Sequence, residues 1–452
     1  MNSINFVKKY LKARRIFFTT PSHSGFAVIP PLRQIFGKKF FKYDLSETDG
    51  FDDLSDPSGV LSDFSKSAAK KLDAGFVFFL VNGSTSGILA ALTALSKPSD
   101  KVLVARNCHK SVFNAFALTG VAPVFITPEY DRNIGAFGKI SPDSVDKILS
   151  ENPEIKVFIM TSPTYEGLNS DISAISSVCK ARGVTLVVDE AHGALKNFAS
   201  EFFGKSAISR GADVSICSLH KTCGAPNPCA LLLLNKNSVA VKDKIQFALN
   251  LYNTSSPSYP AVFASFETVN FLVSSKGAKK ISTLVDNLQN FRKNVENLPG
   301  IRVLSEDCSK ILISAAGFSG AELSEKLDAL NIEDELVTDT CVLCTCGIGT
   351  SSRKLFALEK ALRKISKELT SSEFIVSKGF SLPVPVFEIS LRDAIFAEKS
   401  EVSLDCAPGK ICAKPIFDYP PGIPLVLPGE KFTDEHVRLL KAKDFGTVFV
   451  VS

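Results

Sequence analysis

Phe76-Val-Phe-Phe-Leu-Val-Asn-Gly-Ser-Thr-Ser-Gly87 joins a wholly apolar run to a cluster of glycines and hydroxyls, and Ile88–Ser96 then continues without glycine or proline. The apolar run reads as a strand buried on both faces, and the segment after the cluster reads as a helix. Hydroxyls and backbone N–H groups therefore converge on a helix N-terminus, where orphan donors and the macrodipole favour an anion such as phosphate. An ordinary N-cap would use one Ser or Thr, not three flanked by two glycines.

Working outward, strand and helix patterns alternate from about residue 76 to 234. Candidate strands are Phe76–Val81, Lys101–Arg106, Pro123–Ile126, Lys156–Thr161, Thr185–Asp189, Val214–Ser218 and Ala230–Leu234. Ile172, Ile175 and Val178 mark a helix between two of them, with Ser170 or Asp171 as N-cap and Gly183 as its stop. This alternation predicts an α/β fold with a mostly parallel sheet covered on both faces. Helical patterns dominate from Ser238 to about Val295, broken at Ser255-Ser-Pro-Ser-Tyr-Pro260. After Gly300 a smaller α/β domain is expected, with a strand at Lys310–Ser314 and helices near Glu322–Leu330 and Lys354–Leu369. The tail from Val384, Pro-rich at Tyr419-Pro-Pro-Gly-Ile-Pro424, is predicted to be irregular. The domain division expected is an N-terminal segment at 1–50, a large domain at 51–275 and a small C-terminal domain at 276–452.

Composition excludes several function classes. With 45% hydrophobic and 22% charged residues in 452, the chain is a folded globular protein of more than one domain. Its 52 Lys+Arg against 47 Asp+Glu leave +5, too little to make nucleic acid or an acidic membrane the expected partner. No apolar stretch approaches the ~18–20 residues of a membrane span. The 11 cysteines have no repeated spacing, which points to a reducing compartment and a cytoplasmic protein. The basic run Asn5–Arg15 reads as a surface helix, with a weak likeness to a targeting segment.

In open parallel sheets ligands collect beyond the carboxyl ends of the strands. Besides Asn82–Gly87, three clusters fall there: Asn107-Cys-His-Lys-Ser111, Asp189-Glu-Ala-His-Gly-Ala194 and Ser218-Leu-His-Lys-Thr222. Asp189 puts a carboxylate at the end of an otherwise apolar strand, where it needs a cationic partner. Lys221 follows a strand end and becomes a candidate Schiff-base amine once a phosphate cup and a carboxylate share its sheet. Phosphate cup, carboxylate and lysine are the three contacts that pyridoxal 5'-phosphate needs, for its phosphate, its pyridine nitrogen and its aldehyde. Cys341-Val-Leu-Cys-Thr-Cys346 reads as a strand with buried thiols, not a metal site, and Gly347-Ile-Gly349 as a turn.

These clusters, with Phe51-Asp-Asp-Leu54, Ser162-Pro-Thr-Tyr-Glu-Gly167, Ser256-Pro-Ser-Tyr-Pro260 and Pro428-Gly-Glu430, resemble in order the short form of the Orn/Lys/Arg decarboxylase family. Those are pyridoxal-phosphate enzymes of the aspartate-aminotransferase-like fold, called fold type I. The resemblance implies Lys221 as the lysine that carries the cofactor, Asp189 against the pyridine nitrogen, His109 on the ring and His192 beside it. It also implies Ser84, Thr85, Ser86 and Ser218 around the phosphate, with His220 near them and Lys221 or His220 as proton donor. The implied reaction is decarboxylation of arginine, lysine or ornithine to CO2 and a polyamine or its precursor, by a homodimer or larger homo-oligomer. Glu335 and Glu430 are candidates to hold the distal cation of the substrate. An aminotransferase, a lyase or an inactive regulatory relative are the alternative readings. One departure stands out: the family's usual Thr-Pro-Gly-His-Lys-Gly is here Thr20-Pro-Ser-His-Ser-Gly25.

Overall fold

The computed structural model describes residues 2–12, 18–26, 28–48, 51–379, 382–383, 385–418 and 423–452. The end of the basic N-terminal run (13–15), Val384 and the Tyr419-Pro-Pro-Gly422 portion of the tail lie outside the described residues. The seven predicted strands all form, as β1 (Phe76–Leu80), β2 (Lys101–Ala105), β3 (Ala122–Ile126), β4 (Val157–Thr161), β5 (Thr185–Asp189), β6 (Val214–Ser218) and β7 (Ala230–Leu234). The chain divides into two compact units, the first made of Met1–Ala94, Glu190–Leu284 and Gly347–Gly349, the second of Leu95–Asp189, Val285–Cys346 and Thr350–Ser452.

In the first unit β7 pairs antiparallel with β1 on one side and with β6 on the other. Leu80 and Ser218 both lie opposite Ala230, so β1 and β6 run the same way and end level. All five residues of β6 and of β7 are buried, which explains the continuous apolar sequence of β7 and the mostly apolar one of β6. The helix after β1 begins at Gly83, earlier than the expected Ile88, and runs to Leu95. Gly83 has φ +71°, and Ser84-Thr-Ser86 form the first helical turn instead of a loop before it. Gly87 lets this helix lie against the strands, because a Cβ there would sit 2.7 Å from Leu80 Cδ1. Helices Lys242–Tyr252, Tyr259–Leu272 and Ser275–Glu296 account for the helical stretch after Ser238, the last running on beyond the unit's limit at Leu284.

In the second unit β2 pairs parallel with β3 and β4, and β4 with β5, giving the order β5-β4-β2-β3. Thr161 lies opposite Asp189, so the carboxyl ends of β4 and β5 are level. Asp171 proves to be the N-cap of helix Ile172–Ala181, accepting from Ser173 N–H and Ala174 N–H at 3.1 and 3.2 Å. A separate antiparallel sheet takes the order Ile301–Val303, Lys310–Ala315, Val342–Thr345, Leu336–Val337. Within its third strand's segment Cys341 and Cys346 are buried.

The expectation of an irregular tail is overturned. Lys399–Ser403 pairs with Thr447–Val451, Ile416–Asp418 pairs with Ile423–Val426, and helix Asp434–Lys441 lies between. Lys399–Ser403 is largely solvent-facing and polar, so no hydrophobic alternation marks it. Leu404, Leu425, Phe432, Leu440 and Val450 form a buried core beneath these pieces.

No described helix is long and apolar enough to cross a membrane.

Candidate functional site

In the first unit, the level ends of β1 and β6 bring two sequence clusters to one edge. Ser84 Oγ and Ser218 Oγ lie 2.7 Å apart, both residues buried. Ser86 Oγ donates to Gly83 O at 2.9 Å, while Thr85 is exposed at the same helix N-terminus. The first-turn N–H groups of a 13-residue helix have no intrahelical acceptor, so this edge presents N–H and hydroxyl donors to an anion.

Lys221 follows on the short helix Leu219–Thr222. Its Nζ lies 2.8 Å from His192 Nε2, and His192 is buried. An ammonium can only donate, so a protonated Lys221 makes Nε2 of His192 the acceptor, and the pair can hold a proton on either nitrogen. The neighbouring His220 is turned elsewhere: its Nδ1 lies 3.0 Å from Cys229 O, and a carbonyl only accepts, so Nδ1 carries the hydrogen. Burial lowers the His220 pKa, and the Lys221 charge adds to the effect against the Cys229 hydrogen bond. Gly347–Gly349 packs on this turn: Ile348 N–H donates to Thr222 O at 2.9 Å, and a Cβ on Gly347 would lie 2.5 Å from that oxygen. A bare turn in the sequence is thus a support for the lysine helix, which nothing local announces.

Glu190, the residue after Asp189, is almost wholly buried and accepts from Ser215 Oγ and Ala207 N–H, each at 3.0 Å. Burial pushes its carboxyl up to about 7 despite the pull of Lys196 and these hydrogen bonds. Sequence reading did not single it out, because it stands beside a more suggestive carboxylate.

In the second unit, Asp189 closes β5 and is 3% exposed; its backbone carbonyl accepts from Ser162 N–H at 3.1 Å. Cys108, fully buried, lies where the Asp189 charge is felt: burial first, and Asp189 with it, raise its thiol pKa to about 12. His109 is the N-cap of helix Lys110–Thr119, its Nδ1 accepting from Ser111 N–H at 3.2 Å with Ser111 Oγ at 2.8 Å. An accepting Nδ1 leaves neutral His109 with its hydrogen on Nε2. The carboxylate and the imidazole thus stand at the carboxyl ends of β5 and β2 in one parallel array.

The two substrate candidates are held by different partners. Exposed Glu335 accepts from Tyr165 Oη. Glu430 is fully buried, and Arg106 Nη1 donates to its Oε1 at 3.2 Å. Elsewhere in the second unit Arg363 bonds Glu359, and Arg392 Nη1 donates to the carbonyls of Ala117 and Leu118. At the N-terminus, His23 Nε2 lies 3.1 Å from Asp44 Oδ2 and its Nδ1 accepts from Gly25 N–H, which ties the altered Thr20–Gly25 stretch into a turn.

Residues 4–319 match the model of the Orn/Lys/Arg decarboxylase major domain, and residues 387–445 match that of the C-terminal domain of the same family. The chain belongs to the Orn/Lys/Arg decarboxylase family. Within the family it is 30% identical over 451 residues to the arginine decarboxylase of Bacillus subtilis, covering 96% of this chain and 91% of the relative. It is 22% identical to lysine decarboxylase LdcA of Pseudomonas aeruginosa, covering 95% and 74%. Its fold is that of the Escherichia coli constitutive lysine decarboxylase, with a TM-score of 0.81 at 19% identity over 99% of this chain and 81% of that one. A more distant likeness, TM-score 0.54 at 15% identity, links it to an alanine–glyoxylate aminotransferase of Nostoc sp., over 68% and 86% of the two chains.

Proposed function

We propose that this protein is a pyridoxal-phosphate-dependent decarboxylase of a basic amino acid, arginine, lysine or ornithine, releasing CO2 and an amine that is a polyamine or its precursor. The observation that carries the proposal is the single edge of the β1-β7-β6 array that holds both the Ser84–Ser218 donor cluster and the Lys221–His192 pair at 2.8 Å. That donor set fits the cofactor's phosphate and aldehyde, and Asp189 and His109 in the second unit are of the types its ring requires. Bound there, the cofactor supplies an electron sink for the pair left behind when CO2 departs.

The residues of the chain have separate tasks in this reading. Ser84, Thr85, Ser86 and Ser218 bind the phosphate with the first-turn N–H groups of helix Gly83–Leu95. Asp189 keeps the pyridine nitrogen protonated, and His109 covers the ring. Lys221 carries the cofactor and must lose a proton before it can act as a nucleophile; His192 Nε2 takes that proton and returns it. His220, with its Nδ1 hydrogen spent on Cys229 O, orients the lysine helix, and Lys221 is the donor that returns a proton to the substrate carbon. Glu335, exposed beside Tyr165, is the stronger candidate for the substrate's distal cation, since Glu430 already has a cationic partner.

The same reading makes the protein a cytoplasmic homodimer in which residues 1–50 serve the dimer and the active site, 51–275 bind the cofactor and 276–452 form the small domain. Phe18, Phe26 and Phe36, strongly exposed, supply apolar surface for such a contact. Light scattering on the eluting protein tests this; a monomer at micromolar concentration contradicts it.

The site assignment is tested by incubating the apoprotein with pyridoxal phosphate, reducing with borohydride and mapping the pyridoxyl label by peptide mass spectrometry. The label is expected on Lys221. A label on another lysine refutes the assignment.

A further inference from the structure

The turn Pro428-Gly-Glu430 carries a side chain into the interior of the second unit. Gly429 has φ +90°, and a Cβ there would lie 2.5 Å from Ile389 O, so only glycine lets the turn close this tightly. Glu430, 0% exposed, accepts from Leu427 N–H at 3.0 Å and from Arg106 Nη1 at 3.2 Å on the same Oε1. Arg106, 1% exposed, also donates from Nη2 to Leu425 O at 3.2 Å, and its guanidinium lies 4.7 Å over the Phe125 ring of β3. His436, equally buried, accepts from Thr433 N–H through Nδ1 at 3.1 Å, so its hydrogen sits on Nε2 and faces Glu430 Oε2 at 3.7 Å. Burial, then Arg106, push His436 down to about 4, which keeps it neutral at pH 7.

An ion pair this deep is a costly way to stabilise a fold, since apolar residues of equal volume would serve as well or better. Its location suggests another use. Arg106 directly follows β2, its N–H donates to Ile126 O at 2.8 Å, and three residues later comes His109. Between them Cys108 is fastened by its N–H to Ala105 O at 3.0 Å and by its thiol near Ile159 O and Thr161 Oγ1.

We propose that Glu430, backed by His436, is a positioning residue that acts through Arg106 to fix residues 106–109 and with them the imidazole of His109. The tail segment is thereby coupled to the cofactor site without touching it, and Glu430 is withdrawn from substrate binding. This inference rests on the proposed role of His109 against the cofactor ring.

The test compares wild type with Glu430→Gln and Glu430→Asp. In the apoprotein, amide hydrogen exchange of residues 105–111 should speed up about tenfold in Glu430→Gln, while helix Ile172–Ala181 keeps its protection. Affinity for pyridoxal phosphate should fall about tenfold, 1.4 kcal/mol, and the visible circular dichroism of the bound cofactor should weaken. Glu430→Asp, which keeps the charge on a shorter arm, should recover part of each change. If Glu430→Gln is insoluble, the volume-matched double variant Arg106→Met/Glu430→Leu removes the tether without leaving a lone buried charge and should show the same three changes. Unchanged exchange at residues 105–111, faster exchange throughout the second unit, or wild-type cofactor affinity with a loosened loop would each overturn the proposal. Failure of wild type to bind pyridoxal phosphate would instead strike the proposed function, because the exchange measurement needs no cofactor.

Discussion

Replacing Glu190 by Gln should make the protein more resistant to unfolding at alkaline pH and leave it nearly unchanged in acid. Glu190 is 1% exposed, and its carboxyl titrates at about 7 in the folded chain against a reference of 4.5, chiefly through burial. A folded-state value raised above the unfolded one means that the native state binds more protons through that window. The stability of the neutral form is therefore fully present below about pH 4.5 and is lost as pH rises through about 7. The gap corresponds to roughly 3.5 kcal/mol at about 1.4 kcal/mol per pH unit, an upper bound for one buried group. Gln is a permanently neutral isostere: its carbonyl still accepts from Ala207 N–H, and its amide can donate to Ser215 Oγ. Urea denaturation of both apoproteins at about pH 4 and about pH 8, followed by circular dichroism, is the assay. The variant should match wild type within a few tenths of a kcal/mol in acid and exceed it by 1 to roughly 3 kcal/mol at the higher pH. A stability difference that is the same at both pH values would refute the reasoning.

Gly87→Ala should lower the melting temperature and weaken cofactor binding, since the new Cβ would sit 2.7 Å from Leu80 Cδ1 and 3.1 Å from Ile216 Cγ2; overpacking of this kind costs about 1–3 kcal/mol. An unchanged melting temperature would mean that the helix is free to shift. Asp189→Asn should still take up pyridoxal phosphate but lose CO2 release by on the order of 100-fold, because a neutral amide cannot hold a proton on the pyridine nitrogen. Wild-type turnover in that variant removes Asp189 from its role.

The strands were legible because each is a short, mostly apolar run bounded by polar or turn-forming residues, and β5, β6 and β7 fall on the expected limits. Asp189, Lys221 and the Ser84–Ser86 cluster stood out as candidates for a related reason, as polar groups placed at or just past the point where an apolar strand stops. What the residues hide is distance. Nothing near Arg106 indicates that its carboxylate partner lies in the Pro428-Gly-Glu430 turn, so Glu430 looked like a free acid able to meet substrate. The Lys221–His192 contact likewise depends on which way the short lysine helix turns its side chains, and sequence favours His220 by proximity alone. The helix start at Gly83 was misjudged because Ser and Thr suit both caps and first turns. Lys399–Ser403 escaped notice because its face is polar and its partner Thr447–Val451 lies more than 40 residues on, and the pair Ile416–Asp418 and Ile423–Val426 because the prolines of that stretch suggest irregular chain.

Central to the account is the loss of CO2 from a basic amino acid at a site built around Lys221. The direct measurement supplies arginine, lysine and ornithine, each labelled in the carboxyl carbon, to the purified protein with pyridoxal phosphate and records labelled CO2. Release is predicted from at least one of the three by wild type and from none by Lys221→Ala. No release from any of them by a cofactor-loaded wild type, or equal release by the Lys221→Ala variant, would contradict it.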